Sequence, residues 1–373
     1  MRCFAGEGKF VVESTFRCLM FVLNGLPREE WMKPAVFGLV AALAFGLSVS
    51  PALAEMPPIP TDQDRALAEK GDIYAQFLIA WSYFTGQGAK QDDTEAFRWF
   101  QKSAEGGNVP AQYNLAGMLM EGRGVARNET EAFKWYRRAA ESGHAMAQYE
   151  LAQQYFRGEG VERNLEEALR WYRLSAAQNF PRAQFRLGMI YGKGEGVPQD
   201  QAKAFGLLIQ AAEQGHKFAQ INVGLMYVSG IGVAEDQAAA AQWFRTVADT
   251  GDAAGQYNLA VMYQDGRGVG RDAKEAARLY TLSAEQGYEF AQHNLGVAYA
   301  IGSGVDRDPA AAFGWFLKAA EQGHGKAQFN VAVAYANALG VDKDLLAAAR
   351  WYGKAAAQGI TEAQPAIDAL PKD

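Results

Sequence analysis

Four histidines, two cysteines and scattered carboxylates are the residues of this chain best suited to acid–base, nucleophilic or metal chemistry. His144, His216 and His324 stand at separations that are multiples of 36 and so hold one place in three copies of a repeated segment. Residues in different copies do not converge on one ion, so these histidines read as turn residues between elements. His293 lies off that column. No H-E-x-x-H, C-x-x-C or G-x-S-x-G string occurs, and both cysteines, Cys3 and Cys18, lie near the N-terminus, outside the repeated region. Strings such as Gly266-Arg267-Gly268-Val269 resemble a phosphate loop, but they follow helical patterns and recur in most copies, so turn chemistry accounts for them. The sequon Asn128-Glu129-Thr130 starts a helix in the same pattern. The reading is of a protein with no catalytic residue, no metal and no cofactor.

The elements that carry these residues are short and regular. A glutamine recurs at 76, 112, 148, 184, 220, 256, 292 and 328, and again at 364, always 36 residues on. Such a fixed period marks a repeat architecture. Eight units run from Ala75 to Glu362, with a linker and N-terminal capping helix in residues 55–74 and a C-terminal cap in 363–373. Each unit reads as two amphipathic helices. The first ends at a glycine pair, of which the second member (88, 124, 160, 196, 232, 268, 304, 340) is glycine in every unit, as a positive φ requires. Four residues later stands only Asp or Asn (92, 128, 164, 200, 236, 272, 308, 344), the residue types of a helix N-cap. Glu at 95, 131, 167 and 275 completes the pattern of a capping box. Helix two then carries an Ala in every unit (96 to 348) and an aromatic pair such as Trp171-Tyr172, and it stops at Gly or, once, at Asn179.

These columns resemble the Sel-one-like repeat family, relatives of tetratricopeptide repeats. The carrying motif is A-Q-[FY]-N-L-[AG]-x-x-Y-x-x-G-x-G-V-x-x-D followed by A-x-x-W-[YF]-x-x-A-A-E-x-G. Units four (Leu207-Leu208) and six (Leu279) depart from the aromatic pair but stay apolar. The resemblance implies an all-α, right-handed superhelical solenoid of helix-turn-helix repeats whose concave face binds protein. It further implies roles such as restraining a membrane sensor or organising envelope and exopolysaccharide machinery in a Gram-negative bacterium. Cysteine-rich secreted members of the family are connected with β-lactam binding through disulfide-stapled repeats, a framework this chain lacks.

Residues 1–54 read differently. Met32-Lys33-Pro34, an apolar run from Ala35 to Val49 and small residues at 52 and 54 form the three regions of a secretory signal, with cleavage expected after Ala54 and translation expected to start at Met32. The run is short for a membrane span, so membrane contact is expected only if the segment stays uncleaved. The destination is the periplasm or the exterior. A formal net charge of −6 and a pI near 5.5 give no basic footprint for nucleic acid, and nothing in the sequence specifies an oligomeric state.

In a solenoid of this kind the first helices line the binding surface. Two residues after the repeated glutamine the column reads Leu78, Asn114, Glu150, Arg186, Asn222, Asn258, Asn294, Asn330. Four consecutive asparagines form a ladder, and each amide offers a donor and an acceptor to an extended peptide. Lys326 stands one turn before Asn330, and Arg182 and Arg186 form a like pair, suited to a partner's carboxylates. The alternative for the ladder is bonding between neighbouring repeats. The expected function is a non-enzymatic periplasmic scaffold. The alternative is an envelope sugar-binding protein, or a hydrolase acting on a cell-wall or polysaccharide substrate; Trp81, outside the aromatic column, is the candidate sugar platform.

Overall fold

The computed structural model describes residues 57–371; the signal-like segment and the expected start at Met32 lie outside them. The described residues contain eighteen helices and no strand, most of them 13 residues long. They fall into two compact units, one ending at Lys102 and one beginning at Ser103. Within each unit the helices are antiparallel pairs, and repeats of 36 residues follow one another without insertion, as an all-α repeat solenoid.

Local chemistry fixes each hairpin. Helix one ends on a left-handed residue, Gly at seven sites and Ala338 (φ 56°) at the eighth. The second glycine of the pair has two reasons to be glycine. At Gly304 φ is 75°, and a β-carbon would overlap the carbonyl oxygen of Ala273, the first residue of helix two in the preceding repeat. Gly232, Gly268 and Gly340 meet Gln201, Gln237 and Pro309 in the same way. The turn is therefore also the point where consecutive repeats touch, backbone to backbone.

The expected N-caps are present: the side chains of Asn128, Asn164, Asp200, Asp236, Asp272, Asp308 and Asp344 each accept from a backbone N–H in the first turn of helix two, and Asp92 accepts from Thr94 and Glu95. The expected capping boxes are not. Glu95, Glu131, Glu167 and Glu275 turn forward to Arg98, Lys134, Arg170 and Arg278. The reason lies in the partner they would need. Every one of the N-cap backbone N–H groups already donates to a carbonyl nine residues earlier in helix one, at 2.9–3.1 Å (Asn164 to Tyr155, Asp308 to Tyr299), so no free donor faces the glutamate. That bond locks the two helices of a repeat together.

The Ala column of helix two is buried throughout, and the second member of the aromatic pair lies deepest: Tyr172 and Phe100 are fully buried. The tryptophans lie nearer the edge, with cations over their outer faces, such as Lys318 at 3.9 Å from Trp315 and Arg138 at 4.4 Å from Trp135. The repeated glutamine proves structural. In most repeats its Nε2 donates to the carbonyl eight residues earlier, at the end of the preceding helix, and in five its Oε1 accepts from a second glutamine 30 residues on. These pairs, Gln178–Gln148, Gln214–Gln184, Gln286–Gln256, Gln322–Gln292 and Gln358–Gln328, span 2.7–2.9 Å. A buried amide with both ends satisfied costs little to desolvate and sets the register of successive repeats.

Candidate binding face

Helix one carries the column read as a binding ladder, on the side turned away from the Ala column. Asn222 and Asn258 are half-buried, and their Nδ2 groups bond the carbonyls of Phe218 and Ala254 on their own helices, at 2.7 and 2.8 Å. Each keeps an open amide oxygen. Asn294 and Asn330 engage other elements. Asn294 Nδ2 donates to Tyr280 Oη at 3.1 Å, and Tyr280 Oη donates to Gln264 Oε1 at 2.9 Å. His293 Nδ1 lies 3.1 Å from Asn294 Oδ1, and Asn330 Nδ2 lies 3.2 Å from His293 Nε2. An amide oxygen accepts and an amide nitrogen donates, so the network assigns a neutral ring with its proton on Nδ1. The ladder thus divides: two members are open and two link successive repeats.

His293 is the residue that sequence reasoning missed. Its position is aromatic or apolar in every other repeat (Phe77, Tyr113, Tyr149, Phe185, Ile221, Tyr257, Phe329), and that departure was the available signal. Burial lowers its pKa from 6.5 to about 4, with His324 and Lys326 adding to the effect. The ring stacks on His324, centroids 4.7 Å apart. His324, His144 and His216 each cap the following helix one, Nδ1 accepting from a backbone N–H at 3.1–3.2 Å. No cluster of three or more His, Cys, Asp or Glu suited to a metal occurs among the described residues.

Beside this network lies a pocket of about 240 Å³, lined by Val297, Ala312, Phe313, Phe316, Asn330 and Val333 among others. It is mainly apolar, with Asn330 and Arg307 at its wall. Lys326, the cation expected beside it, is exposed to solvent. The other two expected cations diverge. Arg182 is exposed, whereas Arg186 folds over the ring of Phe156 at 4.3 Å and buries its Nε without a partner. Glu150, the rung between Asn114 and Arg186, is half-buried; burial raises its carboxyl pKa against the pull of Arg182 and Arg157. Trp81 packs among Phe77 and Phe84, centroids 6.2 and 5.9 Å away, with a buried indole nitrogen, so it is no open platform. No helix among the described residues is long and apolar enough to cross a membrane.

The Sel1 repeat family model matches eight consecutive segments: residues 73–108, 109–144, 145–180, 181–216, 217–252, 253–288, 290–324 and 325–360. The crystal structure of a protective antigen of uropathogenic Escherichia coli with an SLR fold is 37% identical, with a TM-score of 0.77 over 83% of this chain and 66% of that one. This chain thus spans just under two thirds of that protein's length. A Sel1 repeat protein from Oxalobacter formigenes is 33% identical, with a TM-score of 0.64 over 83% of this chain and 90% of that one. Among curated proteins there is no match. Sel1 repeat folds are generally protein-interaction scaffolds and typically non-catalytic. Eight family matches in unbroken register and the helix pairs that realise them make this chain a member of the Sel1 repeat family.

Proposed function

We propose that this chain is a non-enzymatic scaffold of the bacterial envelope, exported by the segment at 32–54, which holds a partner protein along its helix-one face. The observation that carries the reading is the pocket at Val297, Asn330 and Val333: an apolar recess with an amide at its wall, between the helices that carry Asn294 and Asn330, the last two members of the ladder. Such a surface receives an extended segment by backbone bonds to amides and by seating a side chain in the recess. The 37% identical relative is a protective antigen, which supports an exported location. A membrane sensor or envelope-assembly protein is the partner class proposed. The test is photo-crosslinking in living cells, with probes at Val261 and Val297 and a control at the exposed Lys274 on helix two. Adducts to one envelope protein from the first two sites only, weakened in Asn258→Ala/Asn330→Ala, are expected. Equal labelling from Lys274, or no protein adduct at all, refutes the reading.

A further inference from the structure

Repeats two and three share a polar arrangement, but in repeat two its central residue is missing. In repeat three, Gln153 bridges two phenols: its Nε2 donates to Tyr149 Oη at 3.0 Å, and its Oε1 accepts from Tyr172 Oη. Tyr149 lies four residues before Gln153 and Tyr172 nineteen after. Repeat two has Tyr113 and Tyr136 at the same two spacings around Gly117. A β-carbon at Gly117 would have Tyr136 Oη as its single neighbour within 4 Å, at 3.6 Å. Where repeat three begins an amide side chain, repeat two therefore leaves open space beside Tyr136 Oη.

What faces that opening is polar and has no hydrogen-bond partner among the described residues. Tyr136 is only 6% exposed, its ring lies 5.8 Å from that of Tyr113, and its hydroxyl makes no hydrogen bond with the described residues. The rung of the next repeat, which supplies Arg186 beside Tyr172 and Asn294 to Tyr280, is here Glu150. Its half-buried carboxylate makes no hydrogen bond or ion pair with the described residues, and Arg182, the leading charge acting on it, stays beyond ion-pair distance in solvent. Glu121, at the end of the helix that carries Gly117, adds negative potential at both phenols.

We infer that the Gly117 slot is a subsite for one cationic side chain, lysine or arginine, of a partner segment lying along the helix-one face. The inference rests on the scaffold reading and specifies the partner's chemistry. A cation offers N–H donors to the phenol oxygens, neutralises Glu150 in a partly desolvated setting, and lies against two tyrosine rings. An anion would meet two carboxylates. An apolar side chain would strip water from Tyr136 Oη and Glu150 and return nothing.

The full chain, with tyrosines labelled with ¹³C, is titrated with N-acetyl-lysine methylamide and, separately, its norleucine isostere while the Tyr113 and Tyr136 resonances are followed. The lysine probe is expected to shift both signals saturably, and Glu150→Gln to weaken it by about tenfold, as removal of one partner of a desolvated charge pair does. Gly117→Gln rebuilds the arrangement of repeat three and is expected to abolish binding while raising the urea midpoint, because Tyr136 gains a partner and the helix loses a glycine. A variant more stable than the parent cannot owe its lost binding to misfolding. Equal responses to lysine and norleucine, undiminished binding in Glu150→Gln, or binding retained in Gly117→Gln each overturns the subsite. If crosslinks at Val261 and Val297 persist without a lysine response, the subsite fails and the scaffold stands. If both are missing, the scaffold fails with it.

Discussion

The glutamine pairs that join successive repeats are broken at one place where the consequence is visible. Gln112 is 7% exposed; its Nε2 donates to Ala104, but its Oε1 is buried without a partner. The residue 30 positions on is Ser142, whose hydroxyl turns back to Arg138. One repeat later the equivalent residue is Gln178, which donates at 2.9 Å to Gly143 and at 2.8 Å to Gln148 Oε1. Ser142 and Gln178 end their helices in nearly the same backbone conformation, φ −80° and −88°. Ser142→Gln therefore places a donor where Gln112 lacks one. Satisfying a buried acceptor recovers about 1–3 kcal/mol, and ordering an exposed glutamine costs up to about 1.5 kcal/mol, so a net gain of about 1 kcal/mol is expected. Urea unfolding of the single variant, of Gln112→Leu and of the double variant measures it as a coupling energy. The gain should vanish when Gln112 is leucine. A gain that survives that change would come from helix propensity alone, and the pairing argument would be wrong. Gln322→Ala, which removes an intact pair, should cost about 1–2 kcal/mol in the same assay.

Two further perturbations address the turns and the histidine network. Gly304→Ala must bring a β-carbon into the Ala273 carbonyl as well as adopt a positive φ, whereas Gly323 (φ 101°) has open space around it. Gly323→Ala should cost about 1–2 kcal/mol from backbone strain alone, and Gly304→Ala distinctly more; equal losses in urea titrations would refute the contact role of the second glycine. For His293 the folded pKa of about 4 lies below the unfolded 6.5, so the unfolded chain binds the extra proton between those values. Stability from this group is full above pH 6.5 and is lost as pH falls toward 4. The loss is at most about 3 kcal/mol and smaller for a ring in part exposed to solvent. His293→Phe, the residue type that stands there in three other repeats, should flatten that limb of the stability curve relative to the parent, measured as urea midpoints at pH 7, 5.5 and 4.5. An unchanged difference between parent and variant across that range would refute the assignment.

Much of this protein was legible before any coordinates. The 36-residue period, the Asp/Asn caps, the terminating glycines and the buried alanines are each local or strictly periodic. A helix end needs particular residue types wherever it occurs, and repetition shows the requirement eight times over. What sequence could not supply is which of two available partners a side chain takes. Glu131 has the spacing of a capping box but turns to Lys134, because the cap's N–H is already bonded to helix one. The asparagine ladder looks uniform, yet Asn258 bonds its own helix and Asn294 reaches Tyr280, because only the packed repeat brings that hydroxyl within reach. Gln148 and Gln178, 30 residues apart, become a buried pair only when one repeat stacks on the next. A periodic sequence determines the unit and its termini. Contacts between units, and the vacancy at Gly117 among them, come from the distances that stacking sets.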